Sequence, residues 1–137
     1  MRLLICALKR LHFLASMQNL RTWTNSPLAR IARIVLGSKR VAMVVGQTIH
    51  LSGTSRAEFL ADPEWVAHEQ VHLRQYREHG LLPFLWKYLV ESARVGYYHN
   101  RFEVEARDEA AVAVADLALP VRERPRHALP PDAPHAN

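Results

Sequence analysis

The chain has few of the features that mark a secreted, disulfide-bonded or membrane-spanning protein. It contains a single cysteine among 137 residues, which excludes internal disulfides and is compatible with a reducing compartment. The hydrophobic run at residues 3–8 is interrupted by Lys9 and is too short for a signal-peptide core or a membrane span. We therefore expect a cytoplasmic protein, and Met17 is a plausible alternative start to Met1.

Acidic residues are absent from the first 57 positions, which carry nine lysines and arginines. A segment with one sign of charge can bind an anionic partner, either nucleic acid or a membrane surface. A solvated basic arm without a partner is an equally good interpretation. No base-reading motif accompanies the charge, so the sequence gives no specific support to nucleic-acid binding. The oligomeric state is not indicated.

Length and composition predict one folded domain with a peripheral segment at each end. A chain of 137 residues, 49% of them hydrophobic, can fill one core. We predict a basic N-terminal arm over residues 1–26, a folded domain over residues 27–119 and a proline-rich, disordered tail over residues 120–137. His127 and His135 lie in that tail, and we assign them no role.

The most informative pattern is a pair of histidines four residues apart, His68 and His72, with Glu69 directly after the first. Positions four apart share one face of an α-helix, so both imidazoles can bind one metal ion. Glu69 lies at the edge of that face, where it can hold a water molecule and accept its proton. With 8 histidines in the chain, chance would produce only about 0.03 such motifs. A histidine pair that merely packs in a core would more often lie among leucine and valine.

The motif lies in a segment that is predicted to be helical from Glu64 to His79. Asp62 is a typical N-cap residue, and Pro63 suits the first helical position. Gly80 is a natural residue to end the helix. The face that carries the two histidines is polar and aromatic, as expected of a helix that forms the floor of a cleft.

A zinc site needs a third ligand, and three candidates follow the motif. His79 lies about 10 Å along the helix axis from His72 at 1.5 Å per residue, a gap that zinc–ligand bonds of about 2 Å cannot close. Glu78 would require a turn where the helix is predicted to continue. Glu103 lies at the edge of an apolar stripe on a later helix, where a carboxylate is costly unless it is paired or metal-bound. With Asn100 as the N-cap, Glu103 could instead complete a capping box, so both roles stay open. The stripe consists of Phe102, Ala106, Ala110, Ala113, Val114 and Leu117, and the acidic residues Glu105, Glu109 and Asp116 lie on the opposite side.

The remaining segments predict a mainly helical α+β fold with a small β-hairpin or sheet before the motif helix. The β-rich runs at residues 41–45 and 48–51 flank Gly46-Gln47, which favours a hairpin. A short helix is predicted from Pro27 to Leu36.

A further helix is predicted from Pro83 to Val95. It is apolar on most sides, so we expect it to be buried. We interpret Phe84, Trp86 and Tyr88 as core residues.

These motifs resemble the gluzincin branch of zinc metallopeptidases, in which the third ligand is a glutamate on a helix downstream of the motif helix. Over about residues 40–110 the chain is similar to small bacterial zincin-like proteins, related to the zincin-like domain of some phage-tail-like injection systems. The resemblance implies a minimal zincin-like domain with His68, His72 and Glu103 as zinc ligands and Glu69 as the general base. Larger gluzincins often have an aspartate four residues after the ligand glutamate. Arg107 occupies that position here, so support for the ligands must come from elsewhere or be weaker. The matching segments are Trp65-Val66, His68-Glu69, His72, Gln75-Tyr76, Gly80, Tyr88-Leu89, Tyr97-Tyr98, Asn100, Phe102-Glu103 and Glu105-Ala106.

Taken together, these residues predict a zinc-dependent metallopeptidase with a peptide or protein substrate. Three protein ligands leave a fourth position on Zn²⁺ for water, and Glu69 would accept the proton. The oxyanion needs a donor, and Tyr97, Tyr98 and His99 precede the Glu103 helix; we take Tyr98 and His99 as site residues. In zincins a strand edge beside the motif helix pairs with extended substrate, and residues 41–51 are the candidate.

Two other hypotheses remain open from the sequence. One is a non-catalytic, zinc-stabilised module of a larger, phage-like assembly. The other is a protease of the same motif that the basic arm tethers to nucleic acid.

Overall fold

Six helices surround a three-stranded sheet in residues 2–118, the part of the chain that this computed structural model describes. The fold is mixed α+β, as the sequence predicts. The helices and strands are α1 (Arg2–Gln18), β1 (Thr22–Thr24), α2 (Pro27–Val35), β2 (Val41–Val45), β3 (Thr48–Ser52), α3 (Arg56–Leu60), α4 (Pro63–His79), α5 (Leu81–Val95) and α6 (Arg101–Ala118).

The three strands form one sheet in the order β1-β3-β2. Strand β1 is parallel to β3, whereas β2 and β3 form an antiparallel hairpin in which Val45 lies opposite Thr48. The turn consists of Gly46 and Gln47, and Gly46 has a φ of 64°, which glycine adopts without strain. The predicted hairpin is therefore confirmed, and β3 continues one residue further than predicted, to Ser52.

The two faces of the sheet have different surroundings, because successive residues of a strand point to opposite sides. Val44, Ile49 and Leu51 are buried in the hydrophobic core, on which α4 also packs. On the other face, β3 packs against α2. There Ser26 Oγ, at the N-cap of α2, lies 2.7 Å from His50 Nδ1. The sheet thus separates the core from α2.

Helices α4 and α6 pack side by side, and their pairing positions the candidate site. Phe102, Ala106 and Ala110 of α6 are buried, whereas Glu105 and Glu109 are exposed. The predicted apolar stripe of α6 is therefore confirmed over these turns. The small alanines allow a close approach of the two helices, which brings the first turn of α6 beside the middle of α4.

The predicted start and end of α4 are confirmed. Asp62 is the N-cap, and its carboxylate accepts a hydrogen bond from the Trp65 backbone N–H at 3.0 Å. Pro63 is the first helical residue, and the helix ends at His79. Gly80 follows with a φ of 80°, which a residue with a Cβ rarely adopts.

Helix α5 is less buried than its sequence predicts. Phe84 is buried and Tyr88 packs against the core, but Trp86 is 71% exposed and Leu82 is 74% exposed. The interpretation of Trp86 as a core residue and of α5 as a buried helix is therefore wrong. Helix α5 follows α4 after Gly80 alone and covers the core with one side. Its remaining apolar side chains are left uncovered by residues 2–118.

The N-terminal segment is joined to the body of the domain. Met17 of α1 is buried in the core and Phe13 packs against it, while strand β1 completes the sheet. The Arg56 guanidinium donates hydrogen bonds to the carbonyls of Leu20 at 2.7 Å and Gln18 at 3.1 Å. The boundary that we predicted at residue 26 therefore does not separate an arm from the domain.

The proline-rich tail predicted for residues 120–137, with His127 and His135, lies outside the described residues, as does the predicted domain end at residue 119. Within residues 2–118, no helix is both long enough and apolar enough to cross a membrane.

Candidate metal centre

Three side chains from two helices converge on one point. His68 and His72 project from one face of α4, and Glu103 projects from the first turn of α6. The Nε2 atoms of the two histidines are 3.2 Å apart. His68 Nε2 lies 3.1 Å from Glu103 Oε2, and His72 Nε2 lies 3.3 Å from Glu103 Oε1. The structure thus brings together the three predicted ligands in a group that could hold a metal ion.

The spacing of these atoms fits a tetrahedral zinc site. Two ligands that each lie about 2.0–2.1 Å from zinc, at a tetrahedral angle, are about 3.3–3.4 Å apart. The observed separations are 3.1, 3.2 and 3.3 Å. A hydrogen-bonded trio, in which each histidine donates an Nε2 proton to one carboxylate oxygen, would have similar distances. Glu103 Oε2 is moreover buried without a hydrogen-bond partner among the described residues.

Gln75 fixes the orientation of His72. The Gln75 Nε2 group donates hydrogen bonds to Phe102 O at 3.2 Å and to Glu105 Oε2 at 3.0 Å. These two acceptors identify the other amide atom as oxygen, and that Oε1 lies 2.8 Å from His72 Nδ1. The Nδ1 atom must therefore carry the proton, which leaves the Nε2 lone pair of the neutral imidazole directed at Glu103.

Tyr88 of α5 binds the carboxylate of Glu103. Its hydroxyl donates a hydrogen bond of 2.5 Å to Glu103 Oε1. The Tyr88 carbonyl in turn accepts a hydrogen bond of 3.1 Å from the Asn100 side chain. Helix α5 therefore contributes a side chain to the site through Tyr88, although the sequence indicated only a core role for this residue.

The capping interpretation of Glu103 is not favoured by these contacts. The Asn100 side-chain oxygen accepts a hydrogen bond from Phe102 N–H at 2.9 Å, so it caps α6 by itself. The Asn100 backbone N–H, which a capping box would pair with Glu103, instead donates to Tyr97 O at 3.2 Å. The Glu103 side chain is only 3% exposed and points towards the histidines.

His72 and Glu103 shift each other's pKa values. Burial alone would raise the pKa of Glu103, but its interactions with His68 and His72 hold the pKa of this carboxyl far below its usual range. Burial alone would lower the pKa of His72. The nearby carboxylates of Glu103 and Glu69 have a larger, opposite effect, so the pKa of His72 is raised. The ionised carboxylate of Glu103 therefore favours a positive charge beside it, carried either by a protonated His72 or by a bound metal ion.

Glu69 lies beside this group with a different electrostatic character. Its side chain is 3% exposed, and Oε2 has no hydrogen-bond partner among the described residues. Burial raises the pKa of Glu69 to about 7, although the neighbouring His72 and His68 oppose the shift. A carboxyl with a pKa near 7 can both accept and release a proton at neutral pH.

An open cleft of about 630 Å³ reaches His68 and Glu69. Its walls come from the segment that follows α2, from strand β2, from the start of α4 and from the α5–α6 connection. The residues that line it include Leu36, Arg40, Val41, Ala42, Trp65, Tyr97 and Arg107. The candidate site is therefore accessible to a molecule of peptide size.

Tyr97, rather than Tyr98 or His99, lies at the cleft. Tyr98 is 67% exposed, with its ring 4.3 Å from the Arg107 guanidinium carbon, and the exposed His99 contacts the Tyr98 ring. The contacts of Tyr98 and His99 are thus at the surface, and their predicted catalytic role is not supported by the geometry. Burial and the charge of Glu103 raise the pKa of Tyr97.

The two rejected ligand candidates are engaged elsewhere. His79 stacks on Phe84 with ring centroids 6.0 Å apart, and Glu78 lies 3.4 Å from Arg74 Nε. Sequence reasoning missed the roles of Gln75 and Tyr88. The signal for Gln75 was available, because residues three apart on a helix are neighbours. No local pattern distinguishes Tyr88 from a core tyrosine.

Comparisons of the chain with protein-family models, with curated proteins and with solved structures found no match.

Proposed function

We propose that this chain is a zinc-dependent metallopeptidase with a minimal zincin-like domain. The observation that carries the proposal is the convergence of His68 Nε2, His72 Nε2 and the Glu103 carboxylate at separations of 3.1 to 3.3 Å. Two imidazole nitrogens and one carboxylate are a donor set that suits zinc and that catalytic zinc sites use.

In the proposed site, His68, His72 and Glu103 hold the zinc ion. Zinc, when bound, supplies a Lewis acid that polarises a carbonyl group and lowers the pKa of water. Gln75 and Tyr88 keep two of the ligands in position through hydrogen bonds to His72 and Glu103.

Glu69 is the proposed general base. It accepts a proton from the attacking water and passes it to the leaving amine. Tyr97 is the proposed donor to the oxyanion of the substrate, in place of Tyr98 and His99.

The proposed substrate is an extended peptide. Strand β2 forms one edge of the sheet, and Val41 and Ala42 line the same cleft as His68 and Glu69. A peptide that adds to this edge through main-chain hydrogen bonds would pass beside Glu69.

The test is hydrolysis of an unstructured protein or a peptide mixture by zinc-loaded protein. Activity should disappear with a chelator and return with added zinc. Glu69→Gln keeps the shape of the side chain but removes its basicity, so it should bind zinc as wild type does and lose about 10²–10⁴-fold in rate. Full zinc occupancy without hydrolysis of any substrate would favour the non-catalytic, zinc-stabilised module. Undiminished activity in Glu69→Gln would contradict the proposed mechanism.

A further inference from the structure

Helix α2 directs small side chains towards the sheet and exposes its large apolar side chains to solvent. Ala29 is completely buried, on the side where α2 packs against the sheet. By contrast, Ile34 is 76% exposed and Val35 is 77% exposed. Leu28 and Ile31 are exposed as well. This is the reverse of the usual amphipathic helix, which directs its large apolar residues to the core.

The exposed residues share one side of the helix. Leu28, Ile31 and Val35 recur at intervals of three and four, and Ile34 lies beside them, so they form a single stripe. Trp23 of β1 is 54% exposed and pairs with His50 in the sheet. His50 contacts the N-cap of α2, which places Trp23 on the α2 side of the sheet. We call these five residues, Trp23, Leu28, Ile31, Ile34 and Val35, the α2 face.

The segment that carries the α2 face, residues 21–40, has charge of one sign. Arg21, Arg30 and Lys39 are exposed residues of the same part of the chain. No acidic residue occurs within the first 57 positions. An apolar stripe with tryptophan and flanking cations is the combination that binds the interface of an anionic bilayer.

We infer that the α2 face docks on an anionic membrane surface. Such a surface accommodates both the apolar and the cationic residues. A second copy of the chain, placed face to face, would bring basic residues against basic residues. Nucleic acid would attract the cations but would leave the apolar side chains without a partner. The inference is independent of the metal centre, although Leu36, directly after α2, also lines the cleft.

The test is co-sedimentation with vesicles of phosphatidylcholine that contain about one third phosphatidylglycerol. Wild type should bind these vesicles, bind pure phosphatidylcholine more weakly and dissociate as salt is raised. The double variant Ile34→Ser/Val35→Ser should reduce partitioning at least about tenfold. Because both residues are already exposed, the fold should be unchanged by circular dichroism. Leu82→Ser, which removes a side chain of similar exposure from α5, is the matched control and should bind as wild type does.

The charge contribution is tested by Arg30→Glu/Lys39→Glu. This variant should lose at least about tenfold in partitioning to anionic vesicles. Arg94→Glu, at a 73% exposed side chain on α5, should leave binding unchanged. Absence of vesicle binding by wild type would overturn the inference, and so would equal losses in the α2 variants and their controls. A dimer that Ile34→Ser/Val35→Ser abolishes, without vesicle binding, would identify a second copy as the occupant. Binding to DNA but not to vesicles would likewise overturn it.

Discussion

Gln75 accepts a hydrogen bond of 2.8 Å from Nδ1 of His72, one turn earlier on the same helix. This contact sets the tautomer of the proposed ligand and leaves its Nε2 lone pair free to bind the metal. Gln75 is also bonded to α6 through Phe102 O and Glu105. One buried amide thus fixes a proposed ligand and the helix that carries another.

We predict that Gln75→Met weakens zinc binding about 10–100-fold. Methionine has a similar length but cannot accept the hydrogen bond from His72 Nδ1–H as an amide oxygen does. The His72 ring therefore loses its fixed orientation. Competition with a zinc-chelating dye measures the affinity. Gln70→Met is the matched control, because Gln70 lies on the same helix and donates to Ser16 Oγ instead. Equal affinities of Gln75→Met and wild type would show that His72 needs no such partner.

We predict that purified protein carries about one zinc ion per chain and that Glu103→Gln loses most of it. The same loss is expected for His68→Ala and His72→Ala. Glu105→Gln should retain zinc, because Glu105 pairs with Arg74 at 2.6 Å and a glutamine oxygen can still accept the hydrogen bond from Gln75 Nε2. Elemental analysis after dialysis measures the content. The reverse result for the two glutamate variants would show that the helix face is assigned incorrectly.

The sequence was sufficient where a pattern depends on neighbours along the chain. The caps of α4, the hairpin at Gly46-Gln47 and the inward face of α6 all follow from local periodicity and turn chemistry. The convergence of Glu103 on the histidines could be anticipated only as one of two roles for that residue. Its choice of partner depends on the packing of α4 against α6.

The sequence failed where burial depends on which faces the rest of the chain covers. Trp86 is a large apolar residue on a helix that we expected to be buried, yet it is exposed. Hydrophobicity indicates that burial of a side chain lowers the free energy. It does not indicate whether another part of residues 2–118 packs against that side chain. Tyr97 and Tyr98 are adjacent residues of the same type, so the sequence does not indicate which of them faces the cleft. The path of the α5–α6 connection decides it.

The position of α1 leads to a prediction about stability. Met17 is 8% exposed and belongs to the core, whereas Leu11 is 65% exposed. Met17→Ala should reduce the free energy of unfolding by about 2–4 kcal/mol. Leu11→Ala should change it by less than about 0.5 kcal/mol. Urea denaturation followed by circular dichroism measures both. Equal effects of the two substitutions would show that α1 does not pack on the domain through Met17.

The last prediction separates two adjacent tyrosines. Tyr97 lines the cleft together with His68 and Glu69, and the charge of Glu103 contributes to its raised pKa. If its hydroxyl donates to the oxyanion of the substrate, Tyr97→Phe should lower kcat by about 10²–10³-fold. Zinc content should stay at the wild-type level, since Tyr97 is not a proposed ligand.

Tyr98→Phe is the control for that experiment. It keeps the ring that lies under Arg107 and removes a hydroxyl at an exposed position, so kcat and KM should both match wild type. The comparison is made at saturating substrate, with zinc content measured on the same samples, so that a loss of metal is not mistaken for a loss of catalysis. A fall in kcat for Tyr98→Phe, with Tyr97→Phe unaffected, would return the oxyanion role to the residue that the sequence favoured. That result would also mean that the α5–α6 connection rearranges when substrate binds, because only then could Tyr98 reach the cleft.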